Sequence, residues 1–217
     1  MNKSTFRTIS FIIIVLFICT ALTSAQELKP IKLLEPQLNS GKLLMQALKA
    51  RSSSREYSSK PLPLQVLSNM LWAAWGINRP ESGKHTAPSA SNRQEIDVYV
   101  STADGLYLYD AKEHMLQPVL AEDIRAATGK QPFVSEAPVN LIFVADLSKM
   151  GDGSDDQKLM TANADVGFIS QNVYLFCASE GLANVVRGWV DKPMLEKEMG
   201  LPSNHKVILA HTVGYPK

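Results

Sequence analysis

Residues 96–109 read Ile-Asp-Val-Tyr-Val-Ser-Thr-Ala-Asp-Gly-Leu-Tyr-Leu-Tyr, and here the hydrophobic period becomes two. Ile96, Val98 and Val100 alternate with Asp97, Tyr99 and Ser101. Ala103-Asp104-Gly105 then turns the chain into Leu106-Tyr107-Leu108-Tyr109, which predicts an antiparallel hairpin. Working outward, Pro138 to Asp146 carries the unbroken apolar run Leu141-Ile142-Phe143-Val144-Ala145 and predicts a strand covered on both faces. A short helix over about Ala121–Thr128 is expected before it. The longest helical pattern spans about Leu159 to Glu180 and stops at Gly181. Its apolar positions wrap most of the way round, so it is expected at the centre or in a subunit interface. Val185–Val190 and Val207–His211 read as further strands, separated by a helix from Pro193 to Gly200.

Upstream of the hairpin, Leu67, Met70, Leu71 and Ala74 mark a helix over about Leu64–Trp75 that ends at Gly76. An earlier helix runs through Leu43, Leu44, Met45 and Leu48 to about Arg51, with Ser40 as its predicted cap. Hairpins and helices mix without strict β-α-β alternation, which assigns the α+β class.

The first 25 residues read as an export address. Lys3 and Arg7 precede the apolar run Phe11–Cys19, and Thr23-Ser24-Ala25 supplies the small residues of a cleavage site. The run is shorter than the roughly 20 residues that span a bilayer, which favours cleavage over a retained anchor. Cys19 follows bulky residues and not the small ones of a lipoprotein signal. The expected division is a signal peptide at 1–25, a Pro-broken leader at 26–39 and one domain at 40–217, with the mature protein periplasmic or secreted. Cleavage leaves Cys177 as the sole cysteine, without a disulfide partner and set in an apolar helix as a core residue. A net charge of +1 gives no signal for nucleic acid or a membrane surface. His85, His114, His205 and His211 form no pair at ligand spacing, and Asp152 to Asp156 lacks the downstream glutamate of a calcium loop, so no metal site is expected.

Three segments could carry chemistry. Arg51-Ser52-Ser53-Ser54-Arg55 offers two permanently charged guanidiniums and several hydroxyls to a phosphate. By composition alone, a plain Ser-rich loop is the better reading of it. Thr86 to Gln94 is a loop of small and polar residues in which Pro88 restricts the backbone. Glu180-Gly181 ends the long helix, either as an ordinary stop or as a backbone donor open to a heterocycle.

In this order the segments resemble the nitroreductase family of flavoproteins, and in particular its branch related to azoline-forming peptide dehydrogenases. The likeness rests on Arg51–Tyr57, Lys60-Pro61-Leu62, Leu71–Ile77, Thr86–Gln94, Gly105-Leu106-Tyr107, Asp165-Val166-Gly167, Gln171-Asn172, Glu180-Gly181-Leu182 and Val213–Pro216, and covers residues 40–217. It implies a nitroreductase-like fold, a mixed, mostly antiparallel sheet flanked by helices, with FMN at a homodimer interface. Arg51, Ser52, Ser53 and Arg55 then match the phosphate and ribityl grip. Pro88, Ser89 and Asn92 match the loop that reaches the isoalloxazine from the partner subunit, and Glu180 and Gly181 match the turn on its N5 side. Hydride is expected from NAD(P)H or another donor, with a nitroaromatic, quinone or similar acceptor; the flavin carries the chemistry and no catalytic side chain is assigned. Relatives commonly continue past Gly-Tyr-Pro with a basic residue that returns to the phosphate, whereas this chain ends at Lys217. The alternative is an exported protein of the same fold that binds a flavin or another small molecule without turnover.

Overall fold

The computed structural model describes residues 27–217, so the export signal lies outside the described residues. In chain order the elements are β1 (Ile31–Lys32), α1 (Leu44–Ala50), α2 (Leu64–Trp75), β2 (Ile77–Arg79), β3 (Lys84–His85), β4 (Ile96–Thr102), β5 (Gly105–Asp110) and β6 (Met115–Leu120). They continue with α3 (Phe133–Glu136), β7 (Val139–Asp146), α4 (Asp155–Glu180), β8 (Ala183–Arg187), α5 (Lys192–Glu198) and β9 (His205–Gly214). Seven strands form one sheet in the order β1-β6-β5-β4-β7-β9-β8, while β2 and β3 make a separate ribbon. Every pairing in the large sheet is antiparallel, which refines the expected mixed, mostly antiparallel arrangement within the expected α+β class.

The predicted hairpin is β4 and β5, with Thr102 opposite Gly105. The doubly covered strand is β7, buried along its whole length between β4 and β9. Successive side chains point to opposite faces of a strand. Leu141, Phe143 and Ala145 therefore enter the core beneath α2 and α4, while Ile142 and Val144 meet Leu195 and Met199 of the α5 region on the other face. The long helix starts four residues before its predicted position. Ser154 accepts the Gln157 N–H at 3.4 Å, and the Gln157 side chain accepts the Ser154 N–H at 3.1 Å, a reciprocal cap that satisfies two end donors. Ser154→Ala is expected to lower stability by about 1 kcal/mol, read as a shifted midpoint in denaturant unfolding with an unchanged slope.

Three local expectations were not met. Ser40 does not cap α1, whose N-terminal flank is Leu43; its hydroxyl donates to the Gln37 carbonyl. The 121–128 helix is reduced to a 3-10 turn over Arg125–Thr128. Ahead of it lies an unforeseen strand, β6, whose Pro118 pairs with Tyr107 at a register shift, a place in a sheet where proline is tolerated. Finally, the segment expected as a leader packs on the domain: β1 pairs with β6 at the sheet edge, and Leu33 is buried in the core.

Candidate functional site

The Arg-Ser segment leaves α1 and crosses the C-terminal half of α4. The Arg51 guanidinium carbon sits 5.4 Å from the centre of the Tyr174 ring. The Val186 N–H of β8 donates to the Tyr174 hydroxyl at 3.1 Å, and that hydroxyl shares a 2.8 Å hydrogen bond with Ser53. Ser53 is thus oriented through Tyr174 by the sheet. Further on, the Ser54 N–H donates to the Asn184 carbonyl, the Tyr57 hydroxyl donates to the Ser54 carbonyl, and Tyr57 forms an antiparallel bridge with Pro216. This bridge brings Lys217 to the cavity of about 510 Å³ that Arg55, Tyr57 and Phe133 line. Arg51, Ser52, Ser53 and Arg55 are all exposed. Among the described residues, neither arginine pairs with a carboxylate.

The 86–94 loop lies elsewhere in the chain. Its start is tied to the end of α2, where the Thr86 N–H donates to Gly76 O at 2.8 Å and the Thr86 hydroxyl to Trp72 O at 3.2 Å. Its middle is held on α4, because Asp165 accepts the Ala90 N–H at 2.9 Å. Ser89 accepts the Gln94 N–H at 3.0 Å, and the Gln94 side chain donates to Gly83 O at 2.9 Å. Ser91, Asn92 and Gln94 have φ of 54°, 53° and 51°, a left-handed conformation that side chains adopt at a cost. Pro88 and Asn92 remain exposed. Behind the loop, Glu95 is fully buried and neither carboxyl oxygen has a hydrogen-bond partner among the described residues. Burial first, and then the neighbouring Asp165, push its pKa up toward neutrality.

Glu180 and Gly181 close α4. Gly181 has φ +71° and donates its N–H to Cys177 O, and a side chain at that position would meet open space. Glu180 borders a cavity of about 560 Å³ shared with Asn69, Trp72, Thr86, Asn172 and Phe176. One chain therefore brings Arg51 and Ser53 together on Tyr174, and Arg55 and Lys217 together beside Tyr57. It keeps Pro88, Ser89 and Asn92 apart, anchored at Asp165, nine residues before Tyr174 on the same helix.

Sequence reading missed a buried polar belt beneath the Arg-Ser segment. Arg187 donates to Thr212, to the Thr128 carbonyl and to Asn140 at 2.8–3.0 Å with no acidic partner among the described residues, and burial lowers its pKa to about 10. His211 shares a 2.9 Å hydrogen bond with Asn184, and burial followed by the Arg187 charge lowers its pKa to about 3. These partners lie up to 59 residues apart in sequence, so no local signal joins them. Cys177 is fully buried, and burial raises its thiol pKa, consistent with a core residue.

The antiparallel sheet, the long helix across one face and the Arg-Ser segment beside it define an α+β fold of nitroreductase type. The chain belongs to the nitroreductase family, whose profile matches residues 48–215. A candidate nitroreductase from Ralstonia eutropha JMP134 is 42% identical, with a TM-score of 0.83 over 88% of this chain and 90% of that one. A Methanocaldococcus jannaschii protein, also named as a candidate nitroreductase, is 35% identical over 148 residues, 64% of this chain and 74% of its own length. The NADPH:FMN oxidoreductase of Vibrio harveyi shares the fold at 20% identity, with a TM-score of 0.61 over 80% of this chain and 69% of that one.

Proposed function

We propose that this chain is an FMN-dependent oxidoreductase, exported and homodimeric, that passes electrons from NAD(P)H or another donor to a nitroaromatic, quinone or similar acceptor. The observation that carries this reading is Arg51 beside a Ser53 hydroxyl already oriented by Tyr174, with Arg55 two residues on and neither arginine paired with a carboxylate among the described residues. Two unpaired guanidiniums and a held hydroxyl fit a phosphate dianion, since charge-assisted bonds to it replace lost water. Family membership supports the flavin, as does the FMN oxidoreductase of the same fold. Bound FMN supplies the hydride chemistry.

The chain's own part is binding, orientation and exclusion of water. Arg51, Ser52, Ser53 and Arg55 hold the phosphate and ribityl chain, and Lys217, lining the Arg55 cavity, adds positive charge there. Glu180 and Gly181 flank the ring's N5 side, where the absent side chain leaves the backbone open to a flat ligand. Pro88, Ser89 and Asn92 reach the ring from the partner subunit. Dimerisation is supported by apolar side chains left in solvent: Leu43, Leu44, Met45 and Leu48 on or beside α1, and Met160 and Phe168, 74% and 48% exposed, on α4. The first residues of the chain, with Lys3, Arg7 and Phe11–Cys19, support export.

Mature protein mixed with FMN and desalted is expected to stay yellow, and NADH or NADPH is expected to bleach it without oxygen. A colourless protein defeats the flavin reading. A yellow protein that neither nucleotide bleaches, and that no acceptor reoxidises after chemical reduction, points to flavin binding without turnover.

A further inference from the structure

The stretch before α1 is strapped across two helices. The Gln37 N–H donates to the Asn69 carboxamide of α2 at 3.0 Å, and the Gln65 side chain donates to the Glu35 carbonyl at 2.9 Å. Further on, the Lys42 N–H donates to the Ser179 hydroxyl of α4 at 2.6 Å, and the Lys42 ammonium donates to the Ala178 carbonyl at 3.1 Å. Between these ties Gly41 has φ +88° and lies so close to α4 that a β-carbon there would run into the Ser179 hydroxyl. The strap is thereby fixed as one wall of the 560 Å³ cavity beside Glu180, a volume typical of small-ligand sites. The other walls are aromatic and amide. Trp72 lies against Gly76, where a β-carbon would strike the indole ring, and Phe176 of α4 lines the cavity with it. Both rings are only partly covered, which leaves a surface for a flat ligand to stack on. Gln37, Asn69 and Asn172 add carboxamides, which donate and accept without charge. Glu180 is the one charged residue of the lining, and no lysine or arginine stands there. Helices α2 and α4 both end beside the cavity, at Trp75 and Glu180, so their carbonyl ends add to the negative potential.

We propose that the 36–42 strap, with Trp72 and Phe176, forms the acceptor pocket of this protein, and that Glu180 makes it select neutral or cationic flat acceptors against anionic ones. The two rings take the face of the acceptor, and the carboxamides meet its nitro or carbonyl oxygens. A carboxylate or sulfonate substituent would enter negative potential with no cation to pair with, and is turned away. That the bound molecule is an electron acceptor rests on the proposed function; the selection by charge does not.

The test is calorimetric titration of the full mature protein near neutral pH, with and without FMN and with no electron donor present. The probes are para-nitrobenzyl alcohol, para-nitrobenzylamine and para-nitrobenzoate, which share a ring and differ in charge. Wild type is expected to bind the alcohol and the amine at least about tenfold more tightly than the benzoate. Glu180→Lys, at an exposed helix end that tolerates a cation, should reverse the order of the two charged probes. Trp72→Leu should weaken the alcohol about tenfold and leave the order of the probes unchanged. Gly41→Ala should weaken the alcohol about tenfold as the strap lifts, with FMN retention unchanged. Should Gly41→Ala fail to fold, Ser179→Ala removes the acceptor of the Lys42 N–H and should weaken the alcohol about threefold. Equal affinities for the three probes in the wild type, or no binding of any, overturn the proposal. So does a Glu180→Lys variant with the wild-type order, or wild-type binding in both Trp72→Leu and the strap variant. Should no sample bind FMN while the probes keep their order, the flavin reading falls and the charge-selective pocket stands.

Discussion

Replacing Arg51 and Arg55 together by alanine is expected to weaken FMN binding by roughly two to four orders of magnitude. Each guanidinium offers a phosphate a charge-assisted hydrogen bond of about 1.5–3 kcal/mol, and about 1.4 kcal/mol is a factor of ten in affinity. The full amount is available because no carboxylate among the described residues competes for either arginine. Both side chains are exposed, so the fold should lose less than about 0.5 kcal/mol per site. That separates a binding defect from a folding defect. A fluorescence titration of FMN into the double variant, beside a thermal melt without ligand, makes the measurement. An unchanged dissociation constant would place the phosphate elsewhere, and a collapsed melting temperature would assign the arginines a structural role. Ser53→Ala alone should cost less, about 1 kcal/mol, since it removes one neutral hydrogen bond.

The parts of this fold that could be read in the sequence are those whose determinants are local. Strand β7 announced itself because a run from Leu141 to Ala145 needs an apolar partner on both sides, and the structure supplies α2 and α4 on one face and α5 on the other. The end of α4 was legible because Gly181 alone there adopts a positive φ without strain. Strand β6 was hidden by Pro118, which argues against a strand until a bulge beside Tyr107 is seen to excuse it. Strand β1 is two residues long and is a strand only because β6 lies next to it. Ser40 has the chemistry of a cap, but α1 begins at Leu44 with Leu43 at the cap position, so the Ser40 hydroxyl lies three residues too early to accept an end N–H.

The candidate site divides in the same way. Arg51, Ser53 and Arg55 are neighbours in sequence, so the segment could be read as one candidate, and the structure sets Arg51 and Ser53 on Tyr174 and Arg55 beside Tyr57. The hydroxyl of Tyr174, which fixes Ser53 from 121 residues away, could not be foreseen. The hold of Asp165 on Ala90 and the polar belt of Arg187, Asn140 and Thr212 likewise exist only once the sheet has closed. Side chains whose role is set by a distant partner carry no periodicity and no spacing that a linear reading could use.

Two such residues set opposing pH dependences. The pKa of His211 falls from an ordinary 6.5 to about 3 on folding, so below about pH 6.5 the unfolded chain takes up a proton that the folded one refuses. Stability from this site is therefore lost as pH falls. The pKa of Glu95 rises on folding from an ordinary 4.5 toward neutrality, so over the same range the folded chain holds a proton that the unfolded one releases. Stability from this site is gained as pH falls. Between pH 4.5 and 6.5 the two slopes nearly cancel, each reaching up to about 1.4 kcal/mol per pH unit. Single variants should unmask them. On going from pH 6.5 to 4.5, Glu95→Gln is expected to lose about 2 kcal/mol relative to the wild type, and His211→Gln to gain about the same. Denaturant unfolding at several pH values reads the slopes directly, so any fixed cost of either substitution drops out. Slopes of the same sign in the two variants would mean that one of the two groups does not titrate as its burial dictates.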